Sequence, residues 1–376
     1  MTKRKATAMA GAGHRAKHIK MTEAFLWMPN AWNVKQAITE KVTLMSSRTD
    51  AKMLVVRKVV NIGRRAQPLE ISIIAPLPDC NRVVRPIFYS HADPDPHHGT
   101  AIFQHYPMGY LMHWKGQQFD MKNRKPVPES FVWRFFLQIS QALAFIQGGI
   151  GPDCDSRGCI IHCDVKPMNI LVVDNGTTYP SFKLHDFDCA TVYKDSKANR
   201  VSRCGTFQWQ PPENTTEGIN TEAADIWALG ACVHFLATGK APVTTEDSSA
   251  FAAAQYHANN DQHPASVQEY RSLDYYYDAR APRRIIPINL DKNGVDERGI
   301  GLSTEEKRTQ GIGPEYHQYS DELNDWMMQC LSFLPSERPT TKRLRHIMGA
   351  QAMEILRRMG GKSALVDMEA KFGAGT

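Results

Sequence analysis

Two short strings of residues constrain this chain more than any other feature. Residues 162–169 read His-Cys-Asp-Val-Lys-Pro-Met-Asn, and Asp186-Phe187-Asp188 begins seventeen residues later. The strings place an aspartate, a lysine and an asparagine on one short loop, and a second aspartate at the end of the next strand. Phosphoryl transfer to a hydroxyl needs such groups: a carboxylate that accepts the proton, a cation beside the phosphate, and oxygen ligands for Mg²⁺.

Three further strings have the order and spacing of one known family. Gln210-Pro211-Pro212-Glu213 is followed by Asp225-Ile226-Trp227-Ala228-Leu229-Gly230 and then by Glu337-Arg338-Pro339. Together with the first two strings they match the H-R-D-L-x-x-x-N, D-F-G, A-P-E and D-x-W-x-x-G motifs and the late arginine of protein kinases. Each string alone is weak, but all occur in register. The chain therefore resembles the eukaryotic protein kinase family over about residues 40–350.

The resemblance implies an α+β fold class and a division into lobes. We expect a two-lobed protein-kinase-like fold, with a small antiparallel β-sheet in an N-terminal lobe (23–105) and a mainly α-helical C-terminal lobe (106–360). Tails over residues 1–22 and 361–376 flank the lobes. The stretch at about 243–317 has little helical periodicity, so we interpret it as an insertion and as a candidate surface for a substrate or partner, with a tolerated surface loop as the alternative.

Composition agrees with a soluble globular protein, because 42% of the residues are hydrophobic and 22% are charged. No apolar run approaches the ~20 residues of a membrane span, so no membrane partner is expected. The N-terminus lacks the apolar segment of a secretory signal. Eight cysteines without such a signal predict reduced thiols and a cytoplasmic or nuclear protein.

The net charge of +6 is concentrated at the N-terminus. The first 20 residues contain six Lys and Arg and no acidic residue. This tail is either a solvated, disordered segment or an arm that directs the protein to the nucleus or binds a polyanion. Apart from this tail, nucleic acid is not an expected partner. The basic residues are Lys3, Arg4, Lys5, Arg15, Lys17 and Lys20.

The resemblance implies catalytic roles for three residues. Asp164 would orient the substrate hydroxyl and accept its proton, and Lys166 would neutralise charge on the γ-phosphate of ATP. Thr206 corresponds to the family threonine that bonds both of them. A lysine two residues after the aspartate is typical of serine/threonine kinases. The implied substrate is therefore a protein hydroxyl.

The resemblance also implies the groups that hold Mg²⁺ and the phosphates of ATP. Asn169 and Asp186 would ligate the metal through oxygen. Lys58 would bind phosphate from the third strand, and Glu70 would pair with it from a short helix. A shift of one residue in the strand register would instead give this role to Arg57.

Adenine is expected at the hinge between the lobes. The hinge falls at residues 105–109, where Tyr106 and Met108 would offer their backbone groups to the base. Gln104 would place its side chain at the back of the pocket. In the C-terminal lobe, Glu213 and Arg338 are expected to form a buried ion pair.

Three departures from the family pattern bear on activity. Residues 21–58 contain no glycine, although a phosphate-binding loop needs close backbone approach. Asp188 replaces the glycine of D-F-G, and Cys163 replaces the arginine that would bind an activation-loop phosphate. We therefore expect any activity to be independent of loop phosphorylation. A redox-sensitive thiol among Cys163, Cys189 and Cys204 is a further alternative.

Two functional hypotheses follow. The first is a serine/threonine protein kinase that uses Mg-ATP, with Asp164 as the catalytic base. The second is a pseudokinase that acts as a nucleotide-binding or nucleotide-free scaffold for protein interactions. The polar residues of the catalytic motifs favour the first hypothesis, and the glycine-free loop and Asp188 favour the second. A small-molecule kinase of related fold is a third reading, against which the P-P-E motif and Thr206 argue.

Overall fold

A computed structural model describes residues 25, 27–62, 67–122, 126–154, 156–193, 204–216, 220–243, 248–263, 268, 272–290 and 317–373. The basic tail and residues 291–316 of the predicted insertion lie outside the described residues. No described helix combines the length and the apolar character that a membrane crossing requires.

A five-stranded antiparallel sheet forms the N-terminal lobe, in the order β1-β2-β3-β5-β4. Side chains alternate between the two faces of this sheet. Val55 lies on one face, in a small core with Trp27, Trp32, Met45 and Ile102. Lys58 therefore points to the opposite face. The strands are β1 (Trp32–Ala37), β2 (Val42–Ser47), β3 (Leu54–Asn61), β4 (Phe88–Ser90) and β5 (His98–Gln104).

Residues 83–87 precede β4, which begins only at Phe88. Pro86 has no N–H to donate to a strand ladder. The preceding residues pair instead with the C-terminal lobe: the Val84 N–H donates to Leu184 O at 2.9 Å, and the Leu184 N–H donates to Arg82 O at 2.9 Å. This segment therefore connects the two lobes.

The helix between β3 and β4 is short, as the sequence predicts. Helix α1 (Leu69–Ile74) contains six residues and begins directly after Pro68, which needs no hydrogen-bonded N–H at a helix start. Glu70 lies in its first turn and is buried.

Two long helices form the centre of the C-terminal lobe. Helix α3 (Glu129–Ile146) buries more than one face, because every residue from Val132 to Ile146 is buried. The reason is that later elements surround it: α5 (Glu222–Thr238), α10 (Gly349–Ala364) and β8 (Ser181–Leu184). Helix α5 begins after Thr221 and ends at Gly239, whose φ of 81° is the left-handed conformation that favours glycine.

The remaining elements are short. Strand β6 (Ile160–Ile161) pairs with β9 (Thr191–Val192), and β7 (Ile170–Val173) pairs with β8. The other helices are α2 (Leu111–Lys115), α4 (Pro212–Thr216), α6 (Ser248–Ala258), α7 (Leu273–Ala279), α8 (Asp321–Cys330) and α9 (Thr341–Arg343). A π-helical turn, Leu344–Met348, joins α9 to α10.

The predicted insertion contains two helices that periodicity did not reveal. Most of the described side chains of α6 are exposed, so this helix has no apolar stripe to detect. Its run of three alanines at 252–254 has strong intrinsic helix propensity.

The C-terminal segment packs against both lobes. Arg82 is fully buried and donates to the carbonyl oxygens of Asp367 and Glu369, and it forms an ion pair with the Asp367 carboxylate at 3.0 Å. Cys80 forms an isolated antiparallel bridge with Phe372.

Candidate active site

The catalytic loop is held in place by a buried carboxylate of helix α5. Asp225 accepts hydrogen bonds from the His162 N–H at 2.9 Å and from the Cys163 N–H at 3.0 Å. Cys163 has a φ of 64°, which turns two successive amides toward this carboxylate. Burial raises the pKa of Asp225 to about 7, against the opposing effect of the two amides. Asp225, the first residue of the Asp-Ile-Trp motif, thus fixes the backbone conformation of the two residues that precede Asp164.

A hydrogen-bonded network joins the residues predicted to be catalytic. The Thr206 hydroxyl donates to Asp164 Oδ1 at 2.9 Å and accepts from Lys166 Nζ at 2.8 Å. Lys166 Nζ also lies 2.8 Å from Asp164 Oδ2. The Asn169 amide donates to the same oxygen at 3.0 Å and to Asp164 O at 2.9 Å. The structure therefore brings these four predicted site residues together around one carboxylate.

A second cluster surrounds Lys58. Its ammonium lies 2.8 Å from Glu70 Oε2, 2.8 Å from Asp186 Oδ1 and 3.0 Å from Asp188 Oδ2. Strand alternation places Arg57 on the other face of the sheet, so the alternative register is not the one observed. Asp186 has a φ of 65°, the left-handed conformation.

Burial and charge act against each other in this cluster. Burial alone would lower the pKa of Lys58, but the three carboxylates outweigh it and the pKa is raised. Burial raises the pKa of Glu70 to about 7, although the Lys58 ammonium opposes the shift. Burial also acts to raise the pKa of Asp186, but the Lys58 ammonium outweighs burial and holds that pKa below its usual value.

The oxygen donors fit a hard divalent ion. Glu70, Asp186 and Asp188 each offer a carboxylate oxygen within 4.8 Å of the others. The Asn169 amide nitrogen bonds Asp164, so its carbonyl oxygen is the group left to act as a ligand. Mg²⁺ takes such carboxylate and carbonyl oxygens. Asp186 and Asn169 are thus suited to hold the metal. The more exposed Asp188 is either a further ligand or a carboxylate that repels phosphate when no metal is bound.

The hinge prediction is wrong for the side chain of Gln104, and the role of the Tyr106 backbone stays a prediction. Gln104 pairs with Val55 across the sheet, whereas Ala101 pairs with Lys58. Because faces alternate along β5, the Gln104 side chain points away from Lys58. Gln104 and Tyr106 instead line a separate cavity of about 310 Å³, which they share with Lys183 and the C-terminal segment.

The backbone of Met108 is available to pair with adenine, as the hinge prediction requires. No described residue bonds its N–H or its C=O, although the adjacent Gly109 N–H donates to Tyr106 O at 3.0 Å. A purine base could therefore pair with the backbone of Met108.

The turn between β1 and β2 differs from a glycine-rich phosphate loop. The Thr39 hydroxyl accepts from the Lys41 N–H at 3.3 Å and from the Val42 N–H at 3.1 Å. These amides are therefore occupied by the turn itself. A glycine-rich loop would leave its amides available to phosphate.

The activation segment departs from the expectation of reduced thiols. Cys189 and Cys204 form a disulfide, with Cα atoms 5.6 Å apart. Cys189 directly follows Asp188, and Cys204 lies two residues before Thr206. No pattern in the sequence pairs these two cysteines, apart from their predicted positions near the cleft. Cys163 is a buried free thiol, and burial raises its pKa well above the usual value.

The predicted ion pair between Glu213 and Arg338 is present. Arg338 Nη1 and Nη2 donate to the two carboxylate oxygens at 2.6 and 2.8 Å, and its Nε donates to Ser332 O at 2.8 Å. The Arg338 side chain is fully buried. A contact that sequence reasoning missed lies nearby, where Arg283 of the predicted insertion donates to Gln210 O and Phe207 O.

Comparison with known proteins agrees with this geometry. Residues 41–348 match the family model described as the protein kinase domain. The chain is similar to the dual specificity mitogen-activated protein kinase kinase mek-2 of Caenorhabditis elegans, at 28% identity over 58% of this chain and 49% of the relative. It is also similar to the serine/threonine-protein kinase chk-1 of Caenorhabditis briggsae, at 28% identity over 49% of this chain and 34% of the relative.

The chain spans half or less of the length of these relatives. The family match, however, covers most of the chain and includes both clusters described above. The order of the motifs, the two-lobed architecture and the matched residues lead to one assignment. This chain belongs to the protein kinase domain family.

Proposed function

We propose that this chain is an active serine/threonine protein kinase that transfers the γ-phosphate of Mg-ATP to a protein hydroxyl. The observation that carries the proposal is the Thr206 hydroxyl, which bonds Asp164 and Lys166 at the same time. A catalytic base must be oriented by a partner that stays in place. Here that partner, Thr206, comes from the segment that precedes the P-P-E motif. The orientation of the Asp164 carboxylate therefore depends on the conformation of this segment.

Each residue has a role that follows from its contacts. The Asp164 carboxylate would accept the proton of the acceptor hydroxyl, and the Lys166 ammonium beside it would stabilise charge on the transferred phosphate. Lys58, held by Glu70, would orient the phosphates of bound nucleotide. Asp186 and Asn169 would hold Mg²⁺, which neutralises phosphate charge when bound. Lys166 supports serine/threonine rather than tyrosine as the acceptor.

The β1–β2 turn supports weak binding of ATP rather than loss of activity. Thr39 occupies amides that would otherwise contact phosphate, so the nucleotide depends more on Lys58 and the metal. We therefore expect the KM for ATP to be high.

The test is phosphate transfer from labelled ATP to myelin basic protein with Mg²⁺, followed by phosphoamino-acid analysis. Wild type should label serine or threonine, and Asp164→Asn should lose transfer. Asp325→Asn, on the exposed side of α8, is the matched control and should behave as wild type. Equal transfer by wild type and Asp164→Asn would overturn the proposal. A thermal shift with ATP in a protein that transfers nothing would identify a nucleotide-binding pseudokinase instead.

A further inference from the structure

The loop that follows Thr206 is held by an arginine from outside the catalytic motifs. We call residues 206–210 the acceptor-side loop. Arg283 Nε donates to Gln210 O at 2.9 Å, and its Nη2 donates to Phe207 O at 3.0 Å. Its Nη1 donates to Ala281 O at 2.9 Å, so each nitrogen of the guanidinium has a carbonyl partner. One side chain thus bonds two carbonyl groups of this loop.

Arg283 is itself anchored to the core of the C-terminal lobe. It forms an isolated antiparallel bridge with Val243, and the Arg284 N–H donates to Pro242 O at 2.9 Å. The Ile286 N–H donates to His234 Nε2 at 3.0 Å. Burial lowers the pKa of His234 to about 4, so its ring is neutral at pH 7 and can accept this bond. The backbone of residues 283–286 is therefore bonded to Pro242, Val243 and α5, while the Arg283 guanidinium reaches the acceptor-side loop.

Helix α7 adds an apolar contact to the same loop. Tyr276 and Tyr277 are buried, and Phe207 packs against them. The Arg280 guanidinium lies 3.7 Å from the centre of the Tyr276 ring, a cation–π contact that covers this cluster. The region predicted only as an insertion thus contacts the acceptor-side loop through a polar anchor and an aromatic one.

We propose that Arg283 is a positioning residue for the protein substrate, acting through the backbone of Phe207 and Gln210. The proposal rests on the proposed kinase function, because the loop begins at Thr206, whose hydroxyl bonds the proposed catalytic base Asp164. A planar guanidinium with fixed donors suits this task better than a flexible ammonium. Burial lowers the pKa of Arg283 to about 10, so it stays charged at neutral pH. Loss of the anchor should loosen the subsite for the residue next to the acceptor and leave the nucleotide site intact.

The kinetic test distinguishes an effect on the binding of the protein substrate from an effect on the binding of ATP. Arg283→Ala should raise the KM for myelin basic protein by roughly tenfold, as expected for the loss of about one charge-assisted hydrogen bond. The KM for ATP should stay at the wild-type value, because no contact described for Arg283 reaches Lys58 or Asp186. Arg283→Lys should recover part of the lost affinity for the protein substrate, because a charged nitrogen that can donate to a carbonyl oxygen remains. Arg357→Ala, on the exposed side of α10, is the matched control.

A second readout keeps the proposal testable if no protein is phosphorylated. Amide hydrogen exchange at residues 206–210 should be faster in Arg283→Ala than in wild type and Arg357→Ala, with little change in α3 and α5. This result in an inactive wild type would defeat the proposed function but support the anchoring role. Equal exchange in all variants, or a KM for ATP that rises as much as the KM for the protein, would overturn the positioning role itself.

Discussion

The Asp188 carboxylate lies 3.0 Å from the Lys58 ammonium, a contact that the glycine of a D-F-G motif could not make. Lys58 already has Glu70 and Asp186 as partners. If Lys58 binds nucleotide phosphate as proposed, Asp188 is a third carboxylate that would compete with the phosphate for this cation. Its side chain is 56% exposed, so solvent weakens this competition without removing it.

Replacing Asp188 should therefore strengthen nucleotide binding. Exposed ion pairs are worth about 0.2–1 kcal/mol, so Asp188→Asn should lower the KM for ATP by a factor of about 1.4 to 5 at saturating Mg²⁺. Asp188→Gly should have the same direction, since it also removes the carboxylate. Titration of ATP at several Mg²⁺ concentrations checks this result. A KM that rises at low Mg²⁺ would instead identify Asp188 as a metal ligand.

Asp225 should make folding stability depend on pH. Its pKa is raised from 3.8 to about 7 in the folded protein, chiefly by burial, so the folded state binds more protons than the unfolded state between these values. The contribution of Asp225 is therefore fully present below about pH 4 and is lost as pH rises toward 7, with a slope of up to about 1.4 kcal/mol per pH unit. Denaturant unfolding from pH 4.5 to 7.5 measures this slope.

The matched variants are Asp225→Asn and Asp325→Asn. Asp225→Asn should flatten the pH dependence, although its absolute stability will be lower because an amide nitrogen meets the N–H donors of His162 or Cys163. Asp325→Asn should keep the wild-type slope. An unchanged slope in Asp225→Asn would show that another group, such as Glu70, dominates the titration.

Sequence reasoning succeeded where residues are close along the chain or belong to the family motifs. Asp164, Lys166 and Asn169 lie on one loop, and the motifs relate the distant residues Glu213 and Arg338. It failed where the outcome depends on which face a strand presents or on packing outside those motifs. Gln104 required the register of β5 against β3, and Arg283 required knowledge that the insertion folds back onto residues 206–210. The disulfide depends on how the activation segment closes, which no local pattern encodes.

The disulfide predicts a specific count of thiols. The chain has eight cysteines, of which six are free. Protein denatured without reductant should therefore give six titratable thiols, and Cys189→Ser/Cys204→Ser should also give six, before and after reduction. Wild type that gives eight without reductant would contradict the bond.

Loss of the disulfide should also weaken the activation segment. A closed loop of about 15 residues constrains the unfolded chain by roughly 3 kcal/mol in the chain-entropy model, which is an upper value here. The Cys189→Ser/Cys204→Ser variant should unfold at a lower temperature and transfer phosphate more slowly, because Thr206 follows closely after Cys204. Cys154→Ser is the control, since Cys154 lies outside this segment and is not a partner in the disulfide. Faster transfer by the double variant would show that the bond restrains the enzyme.

The pair between Glu213 and Arg338 should be costly to break from one side. Glu213→Ala leaves the fully buried Arg338 guanidinium without its carboxylate, and such stranded charges cost about 3–5 kcal/mol. Denaturant unfolding should show a loss of this size. Glu213→Leu/Arg338→Met should recover much of it, because neither charge then remains buried. A double variant as unstable as the single one would mean that Arg338 acts chiefly through the carbonyl oxygens of Ser332 and Ala223, which its guanidinium also bonds.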